Sequence, residues 1–460
     1  MISKELILNQ NVKYRWENNN TILLNTLLPM NRLAGIILDL FNKNSFSEDE
    51  IINIVVSKYN NISKEIIKND IKNFLHKLIA LRILIYKDNE YDTECSDIGM
   101  NPNFSKFLKK IYNNTLSAPT RVSCKITSLC NAKCLHCYAS KDNNDLTYEE
   151  WTKIFDILSD LNVFSVTFTG GDPLCRRDIV KLVDYCSKKQ LKTTIVTNGL
   201  ALNEDLAKEL KNAGISAIYQ SLDGAHPETH DKFRQVEGLF NKVLDNIELL
   251  EKENINTAIL TTINKLNLTE IEEIVDLIHS KKIKLLSFMK YITSGNGKLN
   301  SYLKPTIYDY KNLIPIIYRK SQEYKDIIIL YPDIPVNCYI STVGLDVYNN
   351  LKKKGIIGSC SAGISTIAIN SDGRIKICDI SEDLFIGNIL YDDFRNIWLN
   401  SPILKRIRGI DKINEYPCSN CNFNNLCISG CRGFDYQLKN NEVEFKSDLD
   451  CYECYESIKG

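Results

Sequence analysis

Between residues 121 and 291 six strand-like runs alternate with five helical ones, and that alternation narrows the fold more than any other feature of the chain. The strand-like runs are 121–127, 163–169, 193–197, 217–222, 257–263 and 285–291; the helical ones are 148–161, 179–189, 204–213, 240–253 and 271–281. A helix between two strands returns the chain to the same end of the sheet, so the strands must pair in parallel, with right-handed crossovers. Six units are too few to close an eight-stranded barrel. The expectation is an α/β fold, a partial (β/α)6 TIM barrel left open, with functional groups at the carboxyl ends of its strands.

The polar motifs fall at that end. Just beyond the first strand lies Cys130-Asn131-Ala132-Lys133-Cys134-Leu135-His136-Cys137, a C-x3-C-x2-C run. A [4Fe–4S] cluster usually takes four cysteine thiolates. Three in one loop leave an iron open to something that is not protein. The alternatives at this point are unconnected structural cysteines or zinc, whose usual signature pairs two separated halves. The second strand ends in Thr169-Gly170-Gly171-Asp172-Pro173, the third in Thr197-Asn198-Gly199 and the fourth in Ser221-Leu222-Asp223-Gly224, followed by His230-Asp231-x-x-Arg234. Glycines let backbone approach a ligand, and a carboxylate can accept from an ammonium. Taken singly, each cluster is an ordinary strand-end turn or ion pair.

In this order the motifs resemble radical S-adenosylmethionine (radical SAM) enzymes, with Tyr138 after the third cysteine and Gly170-Gly171-Asp172 one unit later. The resemblance implies a [4Fe–4S] cluster on Cys130, Cys134 and Cys137 whose fourth iron chelates the methionine moiety of SAM. It also implies cofactor contacts from Gly170, Gly171, Asp172, Asn198, Ser221, Asp223 and Arg234, with Asn264 a further candidate. Asp172 stands where that family usually carries Glu, one methylene longer, and Arg234 would pair the methionine carboxylate. One-electron cleavage of SAM would give a 5′-deoxyadenosyl radical that abstracts hydrogen from a positioned substrate carbon.

Sixteen cysteines is a high count. Cys360 and Cys378 are followed by Cys418-x2-Cys421-x5-Cys427-x3-Cys431 and then Cys451. A zinc ribbon would use one four-ligand set and leave the other thiols unexplained. The spacing resembles the seven-cysteine SPASM domain, which implies two auxiliary clusters of [4Fe–4S] type. By that likeness Cys360, Cys378 and Cys431 hold the first, completed by Cys338, Cys454 or an open site, and Cys418, Cys421, Cys427 and Cys451 hold the second. An electron donor such as flavodoxin or ferredoxin is implied, and the auxiliary clusters could accept the electron left by substrate oxidation. Cys124, Cys175 and Cys186 read as buried structural thiols.

The first 88 residues read as a separate winged-helix-like unit: a hairpin over 12–25, helices over 31–41, 48–59 and 64–81, and a strand at 83–86. Ser47 and Glu50 have capping-box spacing, and Ser63 is a candidate N-cap. The order of elements, with Thr21-Ile22-Leu23-Leu24-Asn25 and Phe74-Leu75-His76-Lys77-Leu78, resembles the RiPP recognition element (PqqD-like), which captures the leader of a ribosomally made peptide by strand addition. Expected boundaries are a peptide-binding unit at 1–88, a linker at 89–118 with a short helix near 104–111, the barrel at 119–325 and the cluster domain at 326–460. A helix over 310–324 would need Pro315 in its first turns or a kink.

The combination resembles peptide maturases, foremost those forming sactipeptide thioethers between a Cys sulfur and an α-carbon. Carbon–carbon cross-linkers, side-chain thioether makers, sulfatase formylglycine maturases and non-catalytic electron-transfer proteins share parts of the pattern. Lys+Arg and Asp+Glu balance at 57 each, which argues against nucleic acid as a partner. No apolar run is long enough for a membrane span and the first residues show no export signal, so the expected setting is the cytoplasm.

Overall fold

The computed structural model describes residues 5–9, 12–17, 21–24, 29–41, 44–58, 64–87, 115–139, 144–331, 336–354, 356–357, 360–381, 384–408, 418–420, 422, 436–439 and 442–445. The chain divides into two compact units, Met1–Tyr112 and Asn113–Gly460. The hairpin turn, Ser63, the helix expected near 104–111, Cys421, Cys427, Cys431, Cys451, Cys454 and the side chain of Cys418 lie outside the described residues.

The first unit runs β1 (Glu5–Leu8), β2 (Tyr14–Glu17), β3 (Thr21–Leu24), β4 (Pro29–Met30), α1 (Arg32–Leu38), β5 (Phe46–Ser47), α2 (Glu48–Ser57), α3 (Lys64–Ala80) and β6 (Leu84–Tyr86). Its strands form two antiparallel sheets, β5-β1-β6 and β2-β3-β4. The Ser47/Glu50 capping box is formed in full, satisfying two orphan amides, a cap of about 1 kcal/mol. The helices bury Ile37, Ile51, Val55, Ile71, Leu75 and Leu78 against Leu6 and Leu84.

The second unit opens with β7 (Arg121–Thr127), α4 (Tyr148–Asp160), β8 (Ser165–Gly170), α5 (Ile179–Lys188), β9 (Lys192–Thr197) and α6 (Glu204–Asn212). It continues through β10 (Ala217–Ser221), α7 (Pro227–Arg234), α8 (Leu239–Lys252), β11 (Asn256–Thr262), α9 (Ile271–Ser280) and β12 (Leu285–Met289). Then come α10 (Asn296–Leu299), α11 (Ile307–Glu323), β13 (Ile328–Leu330), α12 (Val336–Val343) and α13 (Leu345–Lys353). The remaining elements are β14 (Thr366–Ile369), β15 (Arg374–Lys376), β16 (Phe385–Asn388), α14 (Phe394–Asn400), α15 (Pro402–Arg408), β17 (Tyr436–Lys439) and β18 (Glu442–Phe445). Ten strands share one sheet in the order β13-β12-β11-β10-β9-β8-β7-β14-β15-β16. The six expected strands are β7 to β12, parallel throughout. β13 extends one edge in parallel and β14 joins β7 on the other, so the barrel stays open. Pro315 sits mid-helix in α11, not in its first turns.

Five barrel helices end alike. Asn162, Gln190, Gly214, Asn254 and Lys282 take left-handed backbone angles after α4, α5, α6, α8 and α9. The next residue in each case (Val163, Leu191, Ile215, Ile255 or Ile283) returns its amide to the last helical turn. This is the Schellman arrangement, with an apolar residue sealing the turn onto the core before the next strand begins. The core lies between sheet and helices: Ile259, Leu286 and Phe288 meet Val243, Ile247, Ile274, Ile278 and Ile314.

Candidate functional site

The three-thiol loop leaves β7 at Thr127 and is fastened along its length. The Asp145 carboxylate accepts from Thr127 Oγ1 at 2.6 Å and from the Ser128 amide at 2.9 Å. Arg176 Nη1 donates to the carbonyls of Ile126 (2.6 Å) and Leu146 (2.9 Å). The Gly171 amide donates to Thr127 O, and the Asp172 amide to Leu129 O at 2.7 Å. A Cβ on Gly170 would stand 2.3 Å from Thr127 O, and one on Gly171 2.2 Å from Leu129 O. The second strand's glycines therefore serve close approach of two backbones, a fit no larger residue allows.

Asp172 is buried and spends its carboxylate within the protein. It accepts from Thr197 Oγ1 at 2.8 Å, the Asn198 amide at 2.7 Å and the Leu174 amide at 3.0 Å. Burial raises its pKa, against these hydrogen bonds. Asn198 in turn donates through Nδ2 to Asn131 Oδ1 at 2.8 Å, so the ends of β8 and β9 and the cysteine loop form one connected network. Ser221 is buried at the end of β10. Asn264 uses its amide for its own turn, donating to Thr262 O and accepting from the Leu266 amide.

Arg234 and Asp223 make a buried ion pair, Nε to Oδ2 at 2.5 Å. The second Asp223 oxygen accepts from the Thr262 amide at 2.7 Å, and Arg234 Nη1 donates toward Cys134 Sγ at 3.8 Å. Burial opposes the Asp223 charge, but the Arg234 guanidinium outweighs it and holds the carboxyl below its ordinary range. Burial also keeps His136 neutral, down to about 3, and His230 down to about 4. His136 stacks on Phe233 with centroids 4.3 Å apart, and its buried Nδ1 has no hydrogen-bond partner among the described residues.

A segment after β12 completes the loop's support and was not legible as functional in the sequence. The Asn296 amide donates to Cys137 O (2.8 Å), its Nδ2 to Cys134 O (3.2 Å), and Asn300 Nδ2 to Leu135 O (3.0 Å). A Cβ on Gly295 would meet Cys137 O at 2.7 Å. The pair Gly295 and Gly297 around Asn296 was the one available signal. Asp145 and Arg176 carried none.

The donor set suits an iron–sulfur cluster. Desolvation pushes the Cys130 thiol up to about 11, although the residue is exposed overall, and Asp172, Cys134 and Cys137 add to the rise. Thiols that repel each other's thiolates are thiols gathered at one place, and metal ligation removes that opposition. An iron–sulfur cluster takes one thiolate at each ligated corner, which the three cysteines of this loop can supply. Cys360 and Cys378 form a second pair. Burial pushes Cys378 up to about 12 with Cys360 adding to it, while the Ile380 and Ser381 amides point at its sulfur. The next residue, Asp379, is half-buried and accepts from Ser123 Oγ on β7 at 2.8 Å.

Residues 124–278 match the radical SAM superfamily, and residues 360–422 match the SPASM iron–sulfur cluster-binding domain. The chain is a radical SAM enzyme. Among curated relatives, the AdoMet-dependent heme synthase of Methanosarcina barkeri is 26% identical over 71% of this chain and 95% of its own length. The subtilosin biosynthesis protein AlbA of Bacillus subtilis is 25% identical, over 71% of each chain. Among solved structures, SuiB of Streptococcus suis covers 97% of this chain and 99% of its own, with TM-score 0.68 at 19% identity. This radical SAM enzyme, an oxidoreductase, therefore binds SAM with a [4Fe–4S] cluster and carries auxiliary iron–sulfur chemistry. When bound, those groups supply one-electron cleavage of the SAM sulfonium. The protein's part is to hold the loop at Asp145, Gly171, Asn296 and Asn300, and to set the Arg234 cation beside Cys134.

No described helix is long and apolar enough to cross a membrane.

Proposed function

We propose that this radical SAM enzyme matures a ribosomally made precursor peptide, held through a leader segment by the first unit. The observation that carries this reading is the extent of the SuiB likeness. It covers 97% of this chain and 99% of SuiB, so it takes in most of the first unit as well as the barrel. SuiB has also been solved bound to its precursor peptide SuiA. In the first unit β2 is an edge strand, paired to β3 alone among the described residues, and an edge strand is what a leader peptide needs in order to add a strand.

The reaction class is hydrogen abstraction from the peptide followed by bond formation, with SAM consumed as 5′-deoxyadenosine. Two auxiliary clusters, on Cys360, Cys378 and Cys431 and on Cys418, Cys421, Cys427 and Cys451, take the surplus electron. The product is a cross-link. A sactipeptide thioether is the form proposed first, and carbon–carbon or side-chain thioether bonds draw on the same residues. The relative AlbA is a subtilosin biosynthesis protein, which supports the peptide reading. A second reading, maturation of a tetrapyrrole, is favoured by the heme synthase relatives.

Anaerobic reaction of the reconstituted enzyme with its candidate precursor, followed by mass spectrometry, tests the proposal. A loss of two hydrogens per cross-link is expected with the leader attached, and little or none with the leader removed. An unchanged peptide alongside active SAM cleavage would sink the peptide reading.

A further inference from the structure

Each barrel strand sends alternate residues to opposite faces of the sheet. One set packs under the helices: Ile259, Leu286, Phe288 and Ile329 are at most 1% exposed. The other set faces inward, away from the helices, and its character changes across the sheet. On β7, β8 and β9 this inner row runs through serine, threonine, lysine and arginine, with Val196 the one apolar residue. On β11, β12 and β13 it holds Ala258, Leu260, Leu285, Met289, Ile328 and Leu330, with Asn256, Thr262 and Ser287 the polar members. Between them β10 contributes Ala217, Tyr219 and Ser221. These rows take in every inner position of the seven strands.

A sheet face that meets water carries polar side chains, as the β7–β9 half does. That half also has protein against it: Asp379, from the segment after Cys378, accepts from Ser123 Oγ at 2.8 Å, and Ser371 Oγ lies 3.1 Å from Ser128 Oγ. The apolar half is less covered than the helix-facing residues of the same strands. Leu260, Leu285 and Leu330 are half-buried, and Met289 is 46% exposed. Apolar groups kept on a partly open face beside reactive groups mark a binding surface. The strand register places that surface. Ser221 pairs with Leu260, Leu260 with Ser287 and Ser287 with Leu330, while Thr262 pairs with Met289. Leu260 is therefore one strand, about 4.8 Å, from Ser221 at the carboxyl end of β10, the same end of the sheet that carries the cysteine loop.

We propose that Leu260, Leu285, Met289 and Leu330 form a specificity subsite for a bulky apolar side chain of the precursor peptide, carried by one of the two residues the enzyme joins. The inference rests on the peptide reading and adds the chemistry of the residue selected. An apolar side chain gains by leaving water on this surface. A carboxylate placed there would lose its hydration and meet only apolar groups in return. The serine- and threonine-rich half, next to the Cys378 segment, takes the polar part of the same peptide stretch.

Competition between two forms of the candidate precursor tests it, one with leucine and one with glutamate at the joined residue that is not cysteine. Both are supplied to the reconstituted enzyme in one anaerobic reaction, and their products are counted by mass spectrometry. Wild-type enzyme should consume the leucine form faster by about tenfold or more. Met289→Lys, at the most exposed of the four positions, gives the glutamate a partner and should shrink that ratio by about tenfold. Leu330→Ala opens room and should move preference from leucine toward phenylalanine. A ratio taken within one tube cancels any general loss of folded or active enzyme, so it reports selection alone. Equal consumption of the two forms by wild type, or a preference unmoved in either variant, would overturn the inference and leave the peptide reading in place. Wild-type enzyme that cleaves SAM but modifies neither the native precursor nor either form would sink the peptide reading, and the inference with it.

Discussion

Cys130, Cys134 and Cys137 occupy one loop, and the barrel grips that loop from β8, from α10 and from the Asp145 segment. Cys360 and Cys378 stand on either side of β14 and β15, and the thiols assigned with them are strung out to Cys451. Protein–protein hydrogen bonds shape the first site before any iron arrives. In the second, sequence separation leaves more of the closure to the metal itself, because a cluster that ties distant residues contributes its binding energy to folding. A radical SAM enzyme of this kind thus carries one preformed site and one that ligation helps to build.

The sharpest way to break that contrast is Cys134→Ala. It should abolish 5′-deoxyadenosine formation and lower bound iron while leaving circular dichroism unchanged; a parallel loss of secondary structure would show that the first site is not preformed. Next in size is Asp223→Ala, which leaves the Arg234 cation buried without its carboxylate and should cost about 3–5 kcal/mol in denaturant unfolding. Gly171→Ala drives a methyl into Leu129 O and should cost about 1–3 kcal/mol as overpacking, with lower iron occupancy at the loop by Mössbauer counting. Asp145→Ala strands the Ser128 amide and should cost about 1–3 kcal/mol. Least affected should be SAM cleavage in Cys378→Ser: 5′-deoxyadenosine continues to form, but peptide product does not. Cleavage lost along with product would mean that the two sites are not separable.

Much of the barrel was legible in the sequence because its strands and helices are long enough to show their periods. The expected strand over 121–127 is β7 itself, and the helix over 148–161 is α4 to within one residue. What escaped was non-local or short. β13 has three residues, too few to reveal a period. β14 pairs with β7 across most of the chain, a contact no local pattern encodes. At the site, the cysteines stood out by their spacing, and Asp223 and Arg234 by falling in order at successive strand ends as in the radical SAM pattern they resemble. Asn296, Asn300 and Asp145 did not, because polar residues in a loop look alike until their partners are known. The Gly170-Gly171-Asp172 run was legible as a motif. Its hydrogen bonds run to the cysteine loop and the end of β9, which only coordinates could reveal.

The left-handed helix ends have a practical consequence. They recur at Asn162, Gln190, Gly214, Asn254 and Lys282, each just before a parallel strand begins, so they occupy the opposite end of the sheet from the cysteines. That end works as a chassis, repeated and chemically quiet, while the other end carries the reagents. Gln190 and Lys282 hold a backbone shape that glycine adopts more readily, by roughly 1 kcal/mol. Glycine at those two positions would toughen the enzyme for handling without reaching its chemistry.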